Sequence, residues 1–474
     1  MKEVPAALVG LALLASMSCL QEPASRRTVP VTTASAAALG HFENGRALLD
    51  DLRFGEATAE LSQALALDPA FAQALALRGL ATPGPAGLQD LELAHERSTN
   101  LSPAERMLID ALLVDRRGDA DALEAWQRLA QLAPEDWRAQ AGYGRHQMLA
   151  REYAGAVASF QRAAQLNRDQ TTLFFDLGRA YLRLGDTTGA VDALRRYASL
   201  SPDDPAAHDA LAESFMAAGR FAEAEDAFRK AASLSPRFWR GWQGIAYTKF
   251  FMGDWNSGRD ALQRAREAAS RWDDVLAIDE LLAWEAFVTG DRAEAFRRFD
   301  AIERTPEAQA ADVATAMVRR AVVLVDSGDY QRALTEVTRA IALAQRTGPA
   351  NARGRVIRQQ GLRVRAVAEA GRGDAVAASA TAAALEQDAS PDDPVGQSSV
   401  HLARGMAALT RHDLVGARGQ LTQCSREDWY CRWQLVLVCE RAGDRVAADL
   451  ARQGVLRLFV RDPMYLYVRS KLQS

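Results

Sequence analysis

Lysine and cysteine are scarce in this sequence. Only four of its 57 basic residues are lysines, and the others are arginines. A phosphate-binding loop or a Schiff base needs a lysine in a defined motif, and Lys2, Lys230, Lys249 and Lys471 lie in none. The formal net charge is only −4, which argues against a function built on whole-protein attraction to nucleic acid. Hydrophobic residues make up 48% and charged residues 25%, so the composition is that of a globular protein.

The motifs of common enzyme classes are also missing. The sequence contains no dinucleotide fingerprint, no paired-histidine metal motif and no nucleophile elbow. Its six histidines are scattered along the chain, so they suggest no metal site. Carboxylates are plentiful, but they fall on the polar faces of predicted helices, where solvation is their ordinary role. We therefore predict a protein that is not an enzyme and that uses no cofactor.

The first residues have the composition of an export signal. The apolar run from Val4 to Ala15 is shorter than the about 20 residues that cross a bilayer, but it suits the centre of a secretory signal. The small residues before Cys19 resemble the lipobox of bacterial lipoproteins. That resemblance implies a signal peptide at 1–18 and a lipid on Cys19, and Leu20 in place of Asp implies sorting to the outer membrane. The alternative is a plain secretory signal, which gives a soluble periplasmic or secreted protein.

Residues 19–39 follow as a polar linker. The stretch 21–38 is rich in small residues, contains prolines and has no helical or strand period. Such a composition is typical of a flexible tether. We expect it to hold the folded part away from a membrane surface.

The rest of the chain repeats itself. A glycine or its substitute, followed by a polar residue, recurs with steps of 33, 34, 34 and 34 residues between residues 118 and 253. The steps then lengthen. The pairs are Gly118-Asp119, Arg151-Glu152, Gly185-Asp186, Gly219-Arg220, Gly253-Asp254, Gly290-Asp291, Gly328-Asp329, Gly373-Asp374, His412-Asp413 and Gly443-Asp444. A constant period of this length indicates a repeat architecture.

Each period contains two amphipathic helical patterns. Between Thr171 and Leu184 apolar residues recur at spacings of three and four, the pattern stops at Gly185, and a second one runs to Pro202. Glycine ends a helix in the left-handed conformation, and proline does not continue one. Each period therefore predicts two antiparallel helices.

The repeats resemble tetratricopeptide repeats. Small residues occupy the close contact of the first helix and the start of the second, and a bulky residue follows one turn later, as at Gly45, Ala57 and Leu61. This resemblance implies an all-α superhelical solenoid of about eleven to twelve helix pairs. Repeats at 40–310 match well and those at 311–458 loosely, and residues 459–474 are expected to cap the last helical face. Partner docking is the alternative role for that final segment.

In such a solenoid the first helices line a concave groove. By resemblance, the partner-binding positions are Arg145, Phe175, Arg179, Arg183, Glu213, Arg240, Tyr247, Phe250, Phe251 and Trp284. Arginine and aromatic side chains carry much of the energy of protein interfaces, so we expect a protein or peptide partner. Five arginines without intervening acids form a second candidate surface; they are Arg353, Arg355, Arg358, Arg363 and Arg365. They spread around one helix, which favours a solvated face.

Three cysteines lie close together near the end. We hypothesise a disulfide between Cys424 and Cys431 across a turn, which an oxidising compartment permits. Cys431 and Cys439 would lie about 12 Å apart along one helix, too far to bond. Three buried free thiols are the alternative.

These observations predict an exported, membrane-anchored scaffold that mediates protein–protein interactions in a bacterial envelope. The membrane contact would be the lipid on Cys19, and nucleic acid is not an expected partner. Two alternatives stay open: a protein that binds or processes carbohydrate or peptidoglycan, and a passive structural spacer.

Overall fold

The computed structural model describes residues 27–346, 352–390 and 393–473. In these ranges the chain forms 25 α-helices and no β-strand, which confirms the predicted all-α repeat fold. Two compact units divide it, unit 1 ending at Gly185 and unit 2 beginning at Asp186. The predicted division at residue 310 falls inside unit 2. One continuous hydrophobic core there runs from Val191 to Leu472, so packing does not change where the repeat pattern loosens.

Unit 1 contains nine helices among its described residues. They are α1 Ala36–Asp50, α2 Phe54–Leu67, α3 Ala72–Ala81, α4 Pro85–Arg97, α5 Pro103–Arg117, α6 Ala122–Leu132, α7 Trp137–Leu149, α8 Tyr153–Leu166 and α9 Thr171–Leu184. Successive helices α1 to α8 pack as four hairpins, and each hairpin packs on the next.

Unit 2 contains the remaining helices of the described chain. They are α10 Thr187–Leu200, α11 Pro205–Ala217, α12 Phe221–Leu234, α13 Trp239–Phe251, α14 Trp255–Ala268, α15 Trp272–Val288, α16 Arg292–Glu303, α17 Ala310–Asp326, α18 Tyr330–Gln345, α19 Ala352–Gly371, α20 Ala375–Asp388, α21 Pro394–Thr410, α22 Leu414–Thr422, α23 Trp429–Arg441, α24 Arg445–Leu456 and α25 Pro463–Gln473. Helices α11 to α24 form hairpins, and α25 packs on α15, α23 and α24.

A glycine–aspartate pair makes the turn inside most hairpins of the described residues. The glycine has a positive φ, for example +84° at Gly253, because only this conformation reverses the chain so tightly after a helix. Three turns use another residue in the same conformation, namely Leu52, Arg151 and His412. The aspartate then accepts a hydrogen bond from a backbone N–H in the first turn of the next helix, as Asp254 does from Ser257. The predicted register is therefore confirmed.

Small residues allow the two helices of a hairpin to approach closely. A Cβ atom at Gly45 would lie 2.7 Å from Leu61 Cγ and 3.3 Å from the Ala57 carbonyl. A Cβ atom at Gly144 would likewise lie 2.9 Å from the Phe160 ring. These contacts explain why small and bulky residues alternate at fixed positions of the repeat.

The beginning of the described chain is bound to unit 1. The Val29 N–H donates to Asp136 at 3.2 Å, and the Thr32 N–H donates to Glu105 at 2.8 Å. Thr33 Oγ1 donates to Asp68 at 2.6 Å. The expectation of a free tether over 19–39 is therefore wrong from residue 27 onward, because side-chain acceptors on the repeat helices satisfy the extended backbone. The signal segment and Cys19 lie outside the described residues.

No helix in the described ranges combines the length and the apolar character that a membrane-spanning helix requires.

Candidate functional site

Unit 1 contains a cleft of about 380 Å³. Its floor and walls are mainly apolar, and α1, α3, α5 and α6 supply most of them. The apolar lining includes Phe42, Leu49, Leu77, Leu80, Leu108, Leu112, Trp126 and Leu129. Clefts of this size and composition commonly hold small molecules or large apolar side chains.

Charged groups lie on one side of this cleft. Arg138 Nε donates to both carboxylate oxygens of Asp50, at 3.1 and 3.0 Å, and its guanidinium lies 4.4 Å from the Trp137 ring centroid. Burial raises the pKa of Asp50, although hydrogen bonding to Arg138 opposes the shift. Both oxygens of the Asp50 carboxylate therefore accept hydrogen bonds from Arg138.

Arg46 lies beside this pair without a comparable partner. Its guanidinium is 5.2 Å from the Phe42 ring centroid, and its Nε atom is buried with no hydrogen-bond partner among the described residues. Burial lowers the pKa of Arg46, and the positive charge of Arg138 lowers it further. Because arginine stays charged in proteins, an anionic group in the cleft would be stabilised here.

Two predicted groove residues of unit 1 do line this cleft, namely Arg145 and Phe175. Arg145 Nε lies 2.9 Å from Asp176 Oδ2, and the Arg179 guanidinium lies 5.6 Å from the Phe175 ring centroid. Arg183 is exposed near the end of α9 and does not line the cleft.

Most of the groove positions predicted for unit 2, on α11, α13 and α15, are covered by the chain itself. Residues 459–473, which we call the C-terminal segment, lie against the first helices of several hairpins. The Phe459 ring is 5.1 Å from Phe221 and 5.7 Å from Phe251, between centroids. The Tyr467 ring is 5.6 Å from Trp284 and 5.1 Å from Phe287. Aromatic pairs at these distances add to the energy of simple burial.

Ion pairs fix the C-terminal segment at both ends. Arg461 Nη1 lies 3.2 Å from Asp209 Oδ1, and Arg461 Nη2 also contacts Glu213. Lys471 Nζ lies 3.2 Å from Asp326 Oδ2. The positive side chains of the segment therefore meet acidic side chains of the groove wall.

A further ion pair lies in the groove wall itself. Arg319 Nε on α17 is 3.0 Å from Glu280 Oε1 on α15, and Arg319 Nη2 is 3.9 Å from Asp462 of the C-terminal segment. Burial raises the pKa of Glu280, while the charge of Arg319 opposes the shift.

Three residues of the predicted aromatic wall lie beside the C-terminal segment and are covered. Tyr247, Phe251 and Trp284 are at most 6% exposed. Phe250 is a wrong prediction, because its ring packs inside its own hairpin, 4.9 Å from the Trp255 ring. Gly258 leaves the space that the Phe250 ring fills.

Arg240 and the final residues also differ from expectation. Arg240 is exposed beside Trp239, with 5.9 Å between its guanidinium and the ring centroid. The C-terminal segment does cap the last hairpin, since the Tyr465 hydroxyl donates to the Val455 carbonyl at 3.0 Å. It also reaches far into the groove, which the repeat pattern does not predict. The only signal in the sequence is its mixture of aromatic and charged residues.

The structure pairs Cys424 with Cys431 in a disulfide, with Cα atoms 6.4 Å apart. This is the hypothesised pairing. Cys439 is a buried free thiol, and burial raises its pKa.

The arginine-rich helix α19 is largely neutralised. Arg353, Arg358 and Arg363 form ion pairs with Asp312, Asp388 and Asp428, respectively, and Arg365 pairs with Glu369 on the same helix. This face therefore presents no block of uncompensated positive charge.

Comparison with known proteins identifies the repeat type. Residues 111–170 and 175–237 match the tetratricopeptide repeat family. No protein of curated function matches the chain significantly. A solved structure of yeast Tom70 is 16% identical to the chain, covers 92% of it and 99% of Tom70, and has a TM-score of 0.43.

Two further solved structures are similar over part of the chain. A tetratricopeptide repeat protein from Parabacteroides merdae is 15% identical, with coverage of 55% of this chain and 98% of that one and a TM-score of 0.42. YrrB, described as a tetratricopeptide protein with an unusual peptide-binding site, is 19% identical, with coverage of 39% and 95% and a TM-score of 0.33.

Proposed function

We propose that this protein is a lipid-anchored scaffold of the bacterial envelope. Its residues 111–170 and 175–237 match tetratricopeptide repeats. Such repeats mediate protein–protein interactions. The unit 1 cleft would bind a segment of a partner protein, and the lipid on Cys19 would hold the complex at the membrane.

One observation carries the choice of the unit 1 cleft. The cleft is open and mainly apolar, and the Arg46 Nε atom in its wall is buried without a hydrogen-bond partner among the described residues. Leaving a buried donor unsatisfied costs about 1–3 kcal/mol. A ligand that brings an anionic oxygen to Arg46 would remove that cost and could bury an apolar side chain beside it. The expected partner segment therefore carries a large apolar residue next to a carboxylate.

Photocrosslinking in native cells tests this binding site. Leu80 lines the cleft and is 40% exposed, so a photoreactive amino acid at this position would face a bound segment. We expect one dominant protein adduct, with the crosslink on an acidic and apolar segment. Arg46→Met should reduce its yield about tenfold, because about 1.4 kcal/mol corresponds to a factor of ten in affinity.

The control position is Leu450 on α24, which is 73% exposed. A crosslinked profile that is the same from Leu450, or that does not respond to Arg46→Met, would show that the cleft is not the binding site. Glycan adducts from Leu80 would favour the carbohydrate-binding function instead.

The lipid anchor needs its own experiment. The residues before Cys19 have the pattern of a lipoprotein signal. Cells grown with a labelled fatty acid should incorporate the label into the wild-type chain, and Cys19→Ser should lose both the label and membrane association. Membrane association without any label would contradict the anchor and leave the scaffold function to be judged by crosslinking.

A further inference from the structure

The C-terminal segment contacts unit 2 in the way that a bound peptide contacts a receptor. It leaves α24 after Leu456, crosses six residues without helical structure, and forms α25 only from Pro463. Many of its partners lie on α11, α13, α15 and α17, which are the first helices of successive hairpins, and others lie on α12 and α23. The first helices are those that line the concave face in a tetratricopeptide array. The segment therefore occupies the place of a peptide ligand.

The wall beneath the segment contains charged side chains beside the aromatic rings that bury Tyr465 and Tyr467. Asp209, Glu280 and Arg319 are largely covered, yet each is a charged residue. Desolvation of such charges consumes most of the attraction between them, so apolar residues of similar size would stabilise a permanent contact equally well. Charged side chains in the wall are solvated when the segment leaves, and while it is bound they fix which of its residues lies opposite each wall residue.

The contacts define what this groove recognises. Acidic side chains of α11 receive Arg461, and the aromatic rings of α15 receive Tyr467. Asp326 of α17 receives Lys471. A matching ligand begins with a basic residue in an extended stretch and continues as a helix with aromatic residues and a basic residue near its end.

We propose that the unit 2 groove is a second binding site, for a basic and aromatic amphipathic helix of a partner protein, and that the C-terminal segment competes with this helix. Binding of the partner requires release of the segment. The chain therefore keeps this site closed until a partner helix with the same chemical pattern displaces its own segment.

The test uses a fluorescent peptide with the sequence of residues 457–474 as the probe helix. In the full chain, the variant Arg461→Glu/Tyr467→Ala weakens the internal segment. It reverses the charge that pairs with Asp209 and Glu213, and it removes the ring that contacts Trp284 and Phe287. We expect this variant to bind the peptide at least tenfold more tightly than the wild-type chain does, as measured by fluorescence anisotropy. A matched control, Arg457→Glu/Val460→Ala, changes two exposed residues of the same stretch and should bind like wild type.

Specificity is tested by exchanging charges. A peptide with Arg461→Glu should bind the weakened variant at least tenfold less tightly than the unmodified peptide. With the internal segment weakened by Arg461→Ala/Tyr467→Ala instead, the additional change Glu213→Arg in the groove should restore part of that loss. The acidic partner of Arg461 then becomes basic, while residue 461 of the internal segment carries no charge. If the groove bound the peptide only through nonspecific apolar contacts, the affinity would not change with this charge exchange.

Three results would overturn the proposal. The first is a weakened variant that keeps its helical content and thermal stability but gains no affinity for the peptide. The second is hydrogen exchange of residues 457–473 in the wild-type chain as slow as in the most protected helices of unit 2, because a competing segment must open more often than the core. That second measurement needs no variant. A wild-type dimer held by exchanged C-terminal segments, detected by light scattering, would also contradict a separate partner.

Discussion

The ion pair between Arg461 and Asp209 should control how firmly the C-terminal segment is held. The two side chains are 13% and 11% exposed, and Arg461 Nη1 is 3.2 Å from Asp209 Oδ1. With an effective dielectric constant of about 20, their attraction is about 5 kcal/mol, and desolvation offsets most of it. Arg461→Met alone leaves Asp209 covered and unpaired, which should cost about 3 kcal/mol of docking free energy.

The double variant Arg461→Met/Asp209→Asn removes both charges, so it should cost only about 1 kcal/mol. Both variants lose the contact with Glu213, a carboxylate that is 40% exposed, so this contact does not change the difference between them. Native-state hydrogen exchange of residues 457–473 measures the opening free energy directly. The single variant should accelerate exchange about 100-fold, since about 1.4 kcal/mol corresponds to a factor of ten.

Arg457→Met provides the matched control, because Arg457 is exposed and its loss should not change exchange in α25. The decisive quantity is the coupling between the two substitutions. If the double variant exchanges as fast as the single variant, or faster, then the buried carboxylate is not the source of the cost. That result would refute an electrostatic origin of the docking free energy.

Three further predictions test the repeat packing and its chemistry. Gly142→Ala would place a Cβ atom 2.0 Å from the Trp126 ring and should lower stability by about 1–3 kcal/mol, whereas Gly419→Ala, with no atom within 4 Å, should be neutral or stabilising in thermal unfolding. Opening the disulfide between Cys424 and its partner seven residues on should cost about 2.4 kcal/mol in the chain-entropy account; mass spectrometry showing three alkylated thiols without reductant would contradict the bond. Burial lowers the pKa of His146, but hydrogen bonds to an Asp carboxylate and a backbone carbonyl outweigh it and raise that pKa. Its contribution to stability should therefore be complete below about pH 6.5 and lost as pH rises through the folded-state pKa, and His146→Gln should abolish this pH dependence in urea unfolding.

Sequence reasoning succeeded where the information is local and periodic. The turn register was predictable, including positions such as Arg151 where another residue replaces glycine, because the spacing of neighbouring turns fixes it. The resemblance to tetratricopeptide repeats placed Tyr247 and Trp284 on the first helices of their hairpins, where they lie. The prediction for Phe250 failed because Gly258 has no side chain, and the Phe250 ring fills the space that this leaves inside the hairpin.

The binding of the N-terminal stretch to unit 1 and of the C-terminal segment to unit 2 could not be predicted from the repeat period. Arg461 and Asp209 are 252 residues apart in the chain, and a pair at that distance leaves no periodic signal. The N-terminal stretch has the composition of a linker, yet acceptors such as Glu105 bind its backbone. Composition reports what a segment does alone, whereas these segments gain their structure from a surface that is built elsewhere in the sequence.

Because that N-terminal stretch is bound to unit 1, only a short part of the chain would connect the proposed lipid anchor to the folded protein. Residues from Arg27 onward belong to the folded body, since the Glu135 N–H donates to the Arg27 carbonyl at 2.9 Å. A lipid on Cys19 would thus connect to unit 1 through eight Cα–Cα steps, which span at most about 28 Å however the chain is arranged. A scaffold with so short a connection to its lipid anchor would reach only a thin layer above the bilayer. Its partners would therefore be found among proteins that reside at the same membrane surface.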